Sequence, residues 1–520
     1  MNEFNQKLKD EIASFREIGH KFVNKEITVN DFKGNSGGMG VYAQRGGSKF
    51  MIRLRIPSGV LSFSHLKFIT SLAKQYGLKQ IHLTTRQAIQ LHDLDFDHVC
   101  DIMEESIDHG LYTRGGGGNF PRNIALSPLS GVEIKEAFDV TPFALLVNRY
   151  LMDRITEYHL PRKLKIAFSN SDKDLANCTI NDLGFIAVKE NGKPYFKVFI
   201  AGGLGNNPAT ALHYDELVPP EEVLYHVEAV TRLFVSEGDY ENKAKARLRY
   251  VPRRMGEEEF LKAYKKHLTE VKSTLKLEEI TPELSEDTEI NINNTNDEIE
   301  NNLIPQKQKG LYTVVIHPLC GQMPLDALEN LILFLDTLND VDIRLSMTES
   351  MYIRNLSHSK AKELLELMKD VRQKTKVEMS VSCVGVPTCQ IGIEQSQELC
   401  TDILEALREN NIDDDYLPSI YISGCNNSCA RHQVSTLGFA GGKKRIDDKV
   451  CDVFELHVGG CFSKDKTEFG NKIGFLKKED IPTFIVELAL ELKRNEEDFK
   501  DYILNKYEEF EALVKPYVTE

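Results

Sequence analysis

The chain has 520 residues, 41% hydrophobic and 28% charged, which suits several globular units and excludes a low-complexity or fibrous protein. A net charge of −15 argues against a broad nucleic-acid or membrane-surface face, which needs a dense field of cations, and leaves room for a local basic patch. No run of about 18 apolar residues is present to cross a bilayer, and the charged opening MNEFNQKLKDEIASFREIGHKF is not a secretory signal, so a cytoplasmic location is expected.

A helical stretch is expected over 65–76, a strand over 81–94 (IHLTTRQAIQLHDL) from its apolar spacing, and a second helix over 97–109. Arg53 and Arg55 (IRLRIP) precede this strand and Arg86 lies within it. TRGGGGN follows with Arg114, then FPRNIALSPLSG with Arg122. The four glycines at 115–118 invite a phosphate-loop reading but lack the G-K-[ST] ending. LPRKLK brings Arg162, Lys163 and Lys165. In an extended segment, Lys163 and Lys165 share one face, a repulsive arrangement unless anions lie opposite. The stretch 183–203 opens with Leu-Gly-Phe, passes a polar turn and closes on Gly202-Gly203; paired glycines at a strand end suit a close approach of backbone to ligand.

From 277 to 302 there are nine Asp and Glu and no Lys or Arg, which reads as a solvated linker, with an acidic loop inside one domain as the alternative. Beyond it the design recurs. Helical stretches at 324–338 and 359–372 flank IRLSMTESMYIRNL (343–356), which aligns without a gap to 81–94. LGFAGGKKRIDDKVCDVFELHVGG (437–460) matches 183–203 in the same order. Two matches in one order indicate an internal duplication, each copy containing a small α+β sandwich. Thr348 stands where the first copy has Arg86, and the clustered cysteines occur only in the second. One half therefore supplies cations and the other thiolates, which suggests a shared site at their interface.

Six of the ten cysteines (Cys100, Cys178, Cys320, Cys400, Cys451 and Cys461) are scattered singly and read as inert buried thiols. The other four are clustered. VSCVGVPTCQIG separates Cys383 from Cys389 by five residues, and Pro387 between them excludes a regular helix. ISGCNNSCARHQ separates Cys425 from Cys429 by three. Four soft thiolates suit a [4Fe–4S] cube; structural zinc, which favours C-x₂₋₄-C pairs in small modules, is the alternative.

C-x₅-C followed by G-C-x-N-x-C, here Cys383, Cys389, Gly424, Cys425, Asn427 and Cys429, resembles the siroheme-dependent sulfite and nitrite reductases. Asn426 departs from the Pro of many members. The resemblance covers nearly the whole chain. It implies an α+β fold of two pseudo-symmetric halves, each a small ferredoxin-like unit plus a larger siroheme- and cluster-binding domain. The expected boundaries are 1–110 and 111–270 for the first half, 271–308 for the linker, and 309–376 and 377–520 for the second half.

By the same resemblance, Cys383, Cys389, Cys425 and Cys429 ligate a [4Fe–4S] cluster, Cys429 also bridges to the siroheme iron, and Asn427 is a further cofactor contact. Arg86, Arg122, Lys163 and Lys165 fall near the substrate, and Arg53, Arg55, Arg114 and Arg162 near siroheme carboxylates. The implied reaction is six-electron reduction of sulfite to sulfide, or alternatively of nitrite to ammonia; a non-catalytic metal- or tetrapyrrole-binding protein is a third reading. Sulfite reductases carry Lys-x-Lys in the segment of Lys163 and Lys165, where plant-type nitrite reductases tend to replace the second Lys with Asn. RNIALSPLSG, in contrast, is similar to ferredoxin-dependent nitrite reductases. No flavin or nicotinamide fingerprint is evident, so electrons are expected from a partner, which the resemblance makes a ferredoxin. Ferredoxins are usually acidic, which demands a local basic docking patch on this acidic chain.

Overall fold

A computed structural model describes residues 3–283, 302–461 and 467–519. Residues 284–301, most of the acidic segment, lie outside the described residues. The chain opens with helices α1 (Glu3–Val23) and α2 (Val29–Met39). Five hydrophobic-side positions of α1, from Leu8 to Phe22, are buried, and Thr28 with Asp31 forms a capping box that starts α2.

The first small unit follows: β1 (Val41–Ala43), β2 (Phe50–Arg55), β3 (Val60–Leu61), α3 (Phe63–Gln75), β4 (Gln80–Leu83), β5 (Ala88–Leu94) and α4 (Phe96–Asp108). The first larger domain holds β6 (Ala125–Leu126), α5 (Thr141–Met152), β7 (Ile166–Ser169), β8 (Leu183–Glu190), β9 (Lys193–Ile200), β10 (Leu212–His213), α6 (Val223–Glu237), α7 (Tyr250–Met255) and α8 (Glu257–Thr274). The second small unit comprises β11 (Leu303–Pro305), β12 (Leu311–Ile316), β13 (Gln322–Pro324), α9 (Leu325–Leu335), β14 (Asp342–Leu345), β15 (Met351–Ser357) and α10 (His358–Leu367). The second larger domain has β16 (Val381–Ser382), α11 (Ser396–Glu409), β17 (Ile420–Ser423), β18 (Leu437–Ile446), β19 (Lys449–Val458), β20 (Asn471–Lys477), α12 (Ile481–Asn495), α13 (Phe499–Asn505), α14 (Tyr507–Val514) and β21 (Val518–Thr519). No described helix is long and apolar enough to cross a membrane.

The duplication is metrically regular. In the small units, Val41 matches Leu303, Phe63 matches Leu325 and Phe96 matches His358, a constant shift of 262 positions. The larger domains match β7 with β17 and β8 with β18 at a shift of 254. The expected single strand over 81–94 is instead a hairpin: β4 and β5 pair antiparallel, and the chain reverses between them with Gln87 at φ 53°. Arg86 thus sits in a turn, not in a strand.

The two small units exchange edge strands. Their sheets run β1-β2-β5-β4-β13 and β11-β12-β15-β14-β3, so β13 of the second half closes the first sheet and β3 of the first half closes the second. Side chains from both units form one hydrophobic core, including Leu83, Ile89, Met323, Leu345 and Ile353. Each larger domain has its own core.

Candidate functional site

A cavity lies between the halves, lined by residues from Lys33 to Arg247 on one side and from Met347 to Arg431 on the other. Its thiol wall begins with two parallel strands. β16 and β17 pair Val381 with Tyr421 and Ser382 with Ile422, so Cys383 and Gly424-Cys425 leave the same end of the sheet side by side. That is the crevice beyond the carboxyl ends of parallel strands, a common ligand position in such sheets. Gly424 admits no side chain: a Cβ there would stand 2.6 Å from the Glu394 carbonyl oxygen and 3.2 Å from Gly385 Cα. The two cysteine loops therefore pack backbone against backbone.

Cys383, Cys389, Cys425 and Cys429 all line the cavity. Gly424 N–H donates to Cys383 Sγ at 3.2 Å, and Asn427 Nδ2 donates to Cys425 Sγ at 3.3 Å. Burial, with Cys429 nearby, pushes the Cys383 and Cys389 thiols up; burial also raises Cys425. Thiolates in such surroundings need a bound cation to hold them. Among the described residues, no three Cys, His, Asp or Glu side chains are placed to hold one metal ion.

The opposite wall is cationic. Lys33, Arg53, Arg55, Arg86, Arg122, Lys163, Lys165, Arg247 and Arg431 line the cavity against one carboxyl group, Glu349. Arg86 is fixed by three acceptors: Asn123 O at 3.0 Å, and Asn181 Oδ1 and Ile166 O at 2.8 Å each. The four-glycine loop orients two more. Gly116 O accepts from Arg53 Nη1 at 2.8 Å and from Arg122 Nη1, and Gly118 O accepts from Arg122 Nη2 at 2.9 Å. These acceptors are all neutral and leave the charges of Arg53, Arg86 and Arg122 unpaired, whereas Arg247 pairs with the buried Asp182 at 3.1 Å.

Lys163 and Lys165 precede β7, with Leu164 bridged to Pro121 and buried between them. Neither ammonium has a hydrogen-bond or ion-pair partner among the described residues. Burial, then Arg247 and Arg122, lowers Lys163 to about 7, and burial with Lys163 and Arg86 holds Lys165 well below the ordinary lysine value. Burial also takes Arg86 to about 9, against the pull of Asp182. Arg122 Nε and Arg247 Nε are buried without a partner.

The structure brings Arg53, Arg55, Arg86, Arg122, Lys163, Lys165, Asn427 and the four cysteines to one cavity, but not Arg114 or Arg162. Arg114 is paired with Glu11 at 2.8 Å and lies over the Phe120 ring; Arg162 donates to Asn119. Sequence reasoning missed Arg247, Arg431, Lys33, His82 and Glu349. The basic run KAKARLRYVPRR in an acidic chain was a usable signal for Arg247. Of the paired glycines, Gly203 makes room for arginines, since a Cβ there would stand 2.9 Å from Arg247 Nη2, while a Cβ on Gly202 would meet Asn181 O at 2.8 Å.

A family model described as "Nitrite and sulphite reductase 4Fe-4S domain" matches residues 117–272 and 374–497, more than half of the chain. The chain belongs to that family. A second model, the "Nitrite/Sulfite reductase ferredoxin-like half domain", matches residues 42–108. The ferredoxin–nitrite reductase of Synechococcus elongatus is 26% identical over 458 residues, covering 85% of this chain and 86% of that one. A sulfite reductase [ferredoxin] of Mycolicibacterium paratuberculosis is 25% identical over 517 residues, covering 93% and 90%. The solved structure of the Mycobacterium tuberculosis NirA protein superposes with a TM-score of 0.78 at 23% identity, covering 96% of each chain, and bears out the duplicated α+β architecture.

As a nitrite or sulfite reductase, the protein is an oxidoreductase whose cofactors are siroheme and a [4Fe–4S] cluster. The cavity fits both by the chemistry of its donors: four thiols on one wall, and on the other a surplus of cations, with buried N–H groups lacking acceptors, suited to a polycarboxylate.

Proposed function

We propose that the protein reduces sulfite to sulfide with six electrons, and that Cys383, Cys389, Cys425 and Cys429 hold its cluster, Cys429 also serving the siroheme. Siroheme supplies the iron at which sulfur–oxygen bonds break, and the cluster supplies electrons one at a time. Arg53 and Arg55 would hold siroheme carboxylates. Arg86, Arg122, Lys163 and Lys165 take the oxyanion, replacing its lost hydration with charge-assisted hydrogen bonds. A charge pair at about 4 Å is worth about 4 kcal/mol at an effective dielectric of about 20, so several cations offset the desolvation of a small anion. Lysines with lowered proton affinity donate protons as oxygens leave as water.

The observation that carries sulfite over nitrite is Lys165, a second unpartnered ammonium beside Lys163 in the cavity wall. Sulfite presents three oxygens and up to two charges, nitrite two oxygens and one. Nitrite reduction to ammonia is the second reading, favoured by the RNIALSPLSG segment around Arg122 and by the Synechococcus relative. A ferredoxin is the donor this reading requires, since both named relatives are ferredoxin enzymes. Four cysteines held as cluster ligands suit a reducing compartment such as the cytoplasm.

The test is kcat/KM for both anions with reduced methyl viologen. Lys165→Asn lowers the value for sulfite by the equivalent of about 1–3 kcal/mol, the size of a lost charge-assisted hydrogen bond, and that for nitrite by less. Equal losses remove the support for sulfite.

A further inference from the structure

Gln87 and Glu349 occupy matched places in the repeat, in the turns of the β4–β5 and β14–β15 hairpins. Both have left-handed backbones, φ 53° and 61°, and both are 1% exposed. Gln87 forms a bracket. Its Oε1 accepts from Leu126 N–H at 2.9 Å, while Nε2 donates to Leu126 O at 2.7 Å and to Leu345 O at 2.6 Å. Leu126 ends β6. Its counterpart is Ser382, which ends β16 one residue before Cys383.

Ser382 N–H donates to Glu349 Oε2 at 3.2 Å, which repeats the accepting arm. The surroundings of the donating arm repeat too. A Cβ on Gly59 would lie 2.8 Å from both Gln87 Nε2 and Leu345 O; on Gly321 it would lie 2.5 Å from Leu83 O and 3.1 Å from Glu349 Cβ. By the match of the two repeats, the second carboxyl oxygen corresponds to the amide nitrogen that in the first half donates to carbonyls, and Leu83 O stands where the first half has Leu345 O. A carboxylate has only lone pairs to offer there, whereas a carboxylic acid has one O–H.

We propose that Glu349 is a positioning residue that works as an uncharged carboxylic acid in the place of an amide, bracketing the Cys383 segment to the β14–β15 hairpin. The inference rests on Cys383 being a cluster ligand. Burial raises the Glu349 carboxyl to about 8, against the pull of Arg431, in agreement with the geometry. Arg431 is itself tied to Met347 O at 2.7 Å. With Glu349 uncharged, no carboxylate among the lining residues opposes the basic side chains of the cavity, and Asp182, paired with Arg247, lies behind them.

The experiment compares holoenzyme carrying Glu349→Gln and Glu349→Ala, reading iron and acid-labile sulfide per chain and the midpoint potential of the cluster. Glu349→Gln supplies the same amide as Gln87 and should retain full iron with an unchanged potential; Glu349→Ala should lose most of its iron. A raised potential in Glu349→Gln would reveal a lost negative charge and overturn the proposal, as would loss of iron in that variant or full iron in Glu349→Ala. If Glu349→Ala fails to fold, Glu349→Gln decides alone. Full cluster content in Cys383→Ser would instead overturn the ligand assignment beneath it.

Discussion

Lys163 sits among cations, and its proton affinity sets a pH signature in the cofactor-free chain. Burial beside Arg247 and Arg122 lowers it from 10.5 to about 7. Below about pH 7 the folded chain bears the full electrostatic cost of this charge. The cost fades as pH rises and is gone above about 10.5, where the unfolded chain also releases the proton. Lys163→Met should therefore raise the Tm of apoprotein most at or below pH 7, the gain vanishing towards pH 10.5; a gain that grows with pH would contradict the burial. Thiols divide just as sharply. Cys429→Ser should remove the cluster spectrum, while Cys400→Ser, in the buried face of α11 and outside the cavity, should keep it. Loss in Cys400→Ser with retention in Cys429→Ser would refute the ligand set. The cysteines could be read because two fixed spacings fall in short stretches of chain. Arg431 and Glu349 could not, because only the fold carries them to the cavity.

The four-glycine loop is an orienting device for arginines rather than a phosphate cradle. A Cβ on Gly117 would stand 2.0 Å from Tyr42 Oη and 2.2 Å from Gly37 O, so even one methyl group displaces the loop. Gly117→Ala should shift the Gly116 carbonyl that Arg53 and Arg122 share, raising KM for the anion about tenfold or more with a smaller change in kcat. Gly34→Ala is the control, in α2 with open space around it, and should stabilise the protein by about 0.5–1 kcal/mol. An unchanged KM in Gly117→Ala would show that the loop is not needed for arginine placement. Helices and the long hairpins follow from periodicity. The hairpin turn at Arg86 was hidden because β4 and β5 are both apolar and meet without Gly, Pro or Asn to mark the reversal.

At the scale of the whole molecule, the edge-strand exchange joins the small units into one cooperative body. Met323 of β13 is fully buried and pairs with Ile81 of β4, so it belongs to the first sheet though encoded in the second half. Met323→Ala should cost about 2–5 kcal/mol and shift a single calorimetric transition of both small units; two resolved transitions for them would show that the units unfold separately. Strands of two and three residues carry no periodic signal, which is why β3 and β13 escaped the sequence. The same exchange imposes a timetable on synthesis. Leu83 leaves the ribosome about 240 residues before Gln322, which at roughly 5–20 residues per second is a delay of roughly 12–48 seconds. Throughout that interval the β4 segment lacks the partner for its outer edge, the condition under which nascent chains stick to one another. Chaperone demand should accordingly peak in mid-translation and end when β13 arrives.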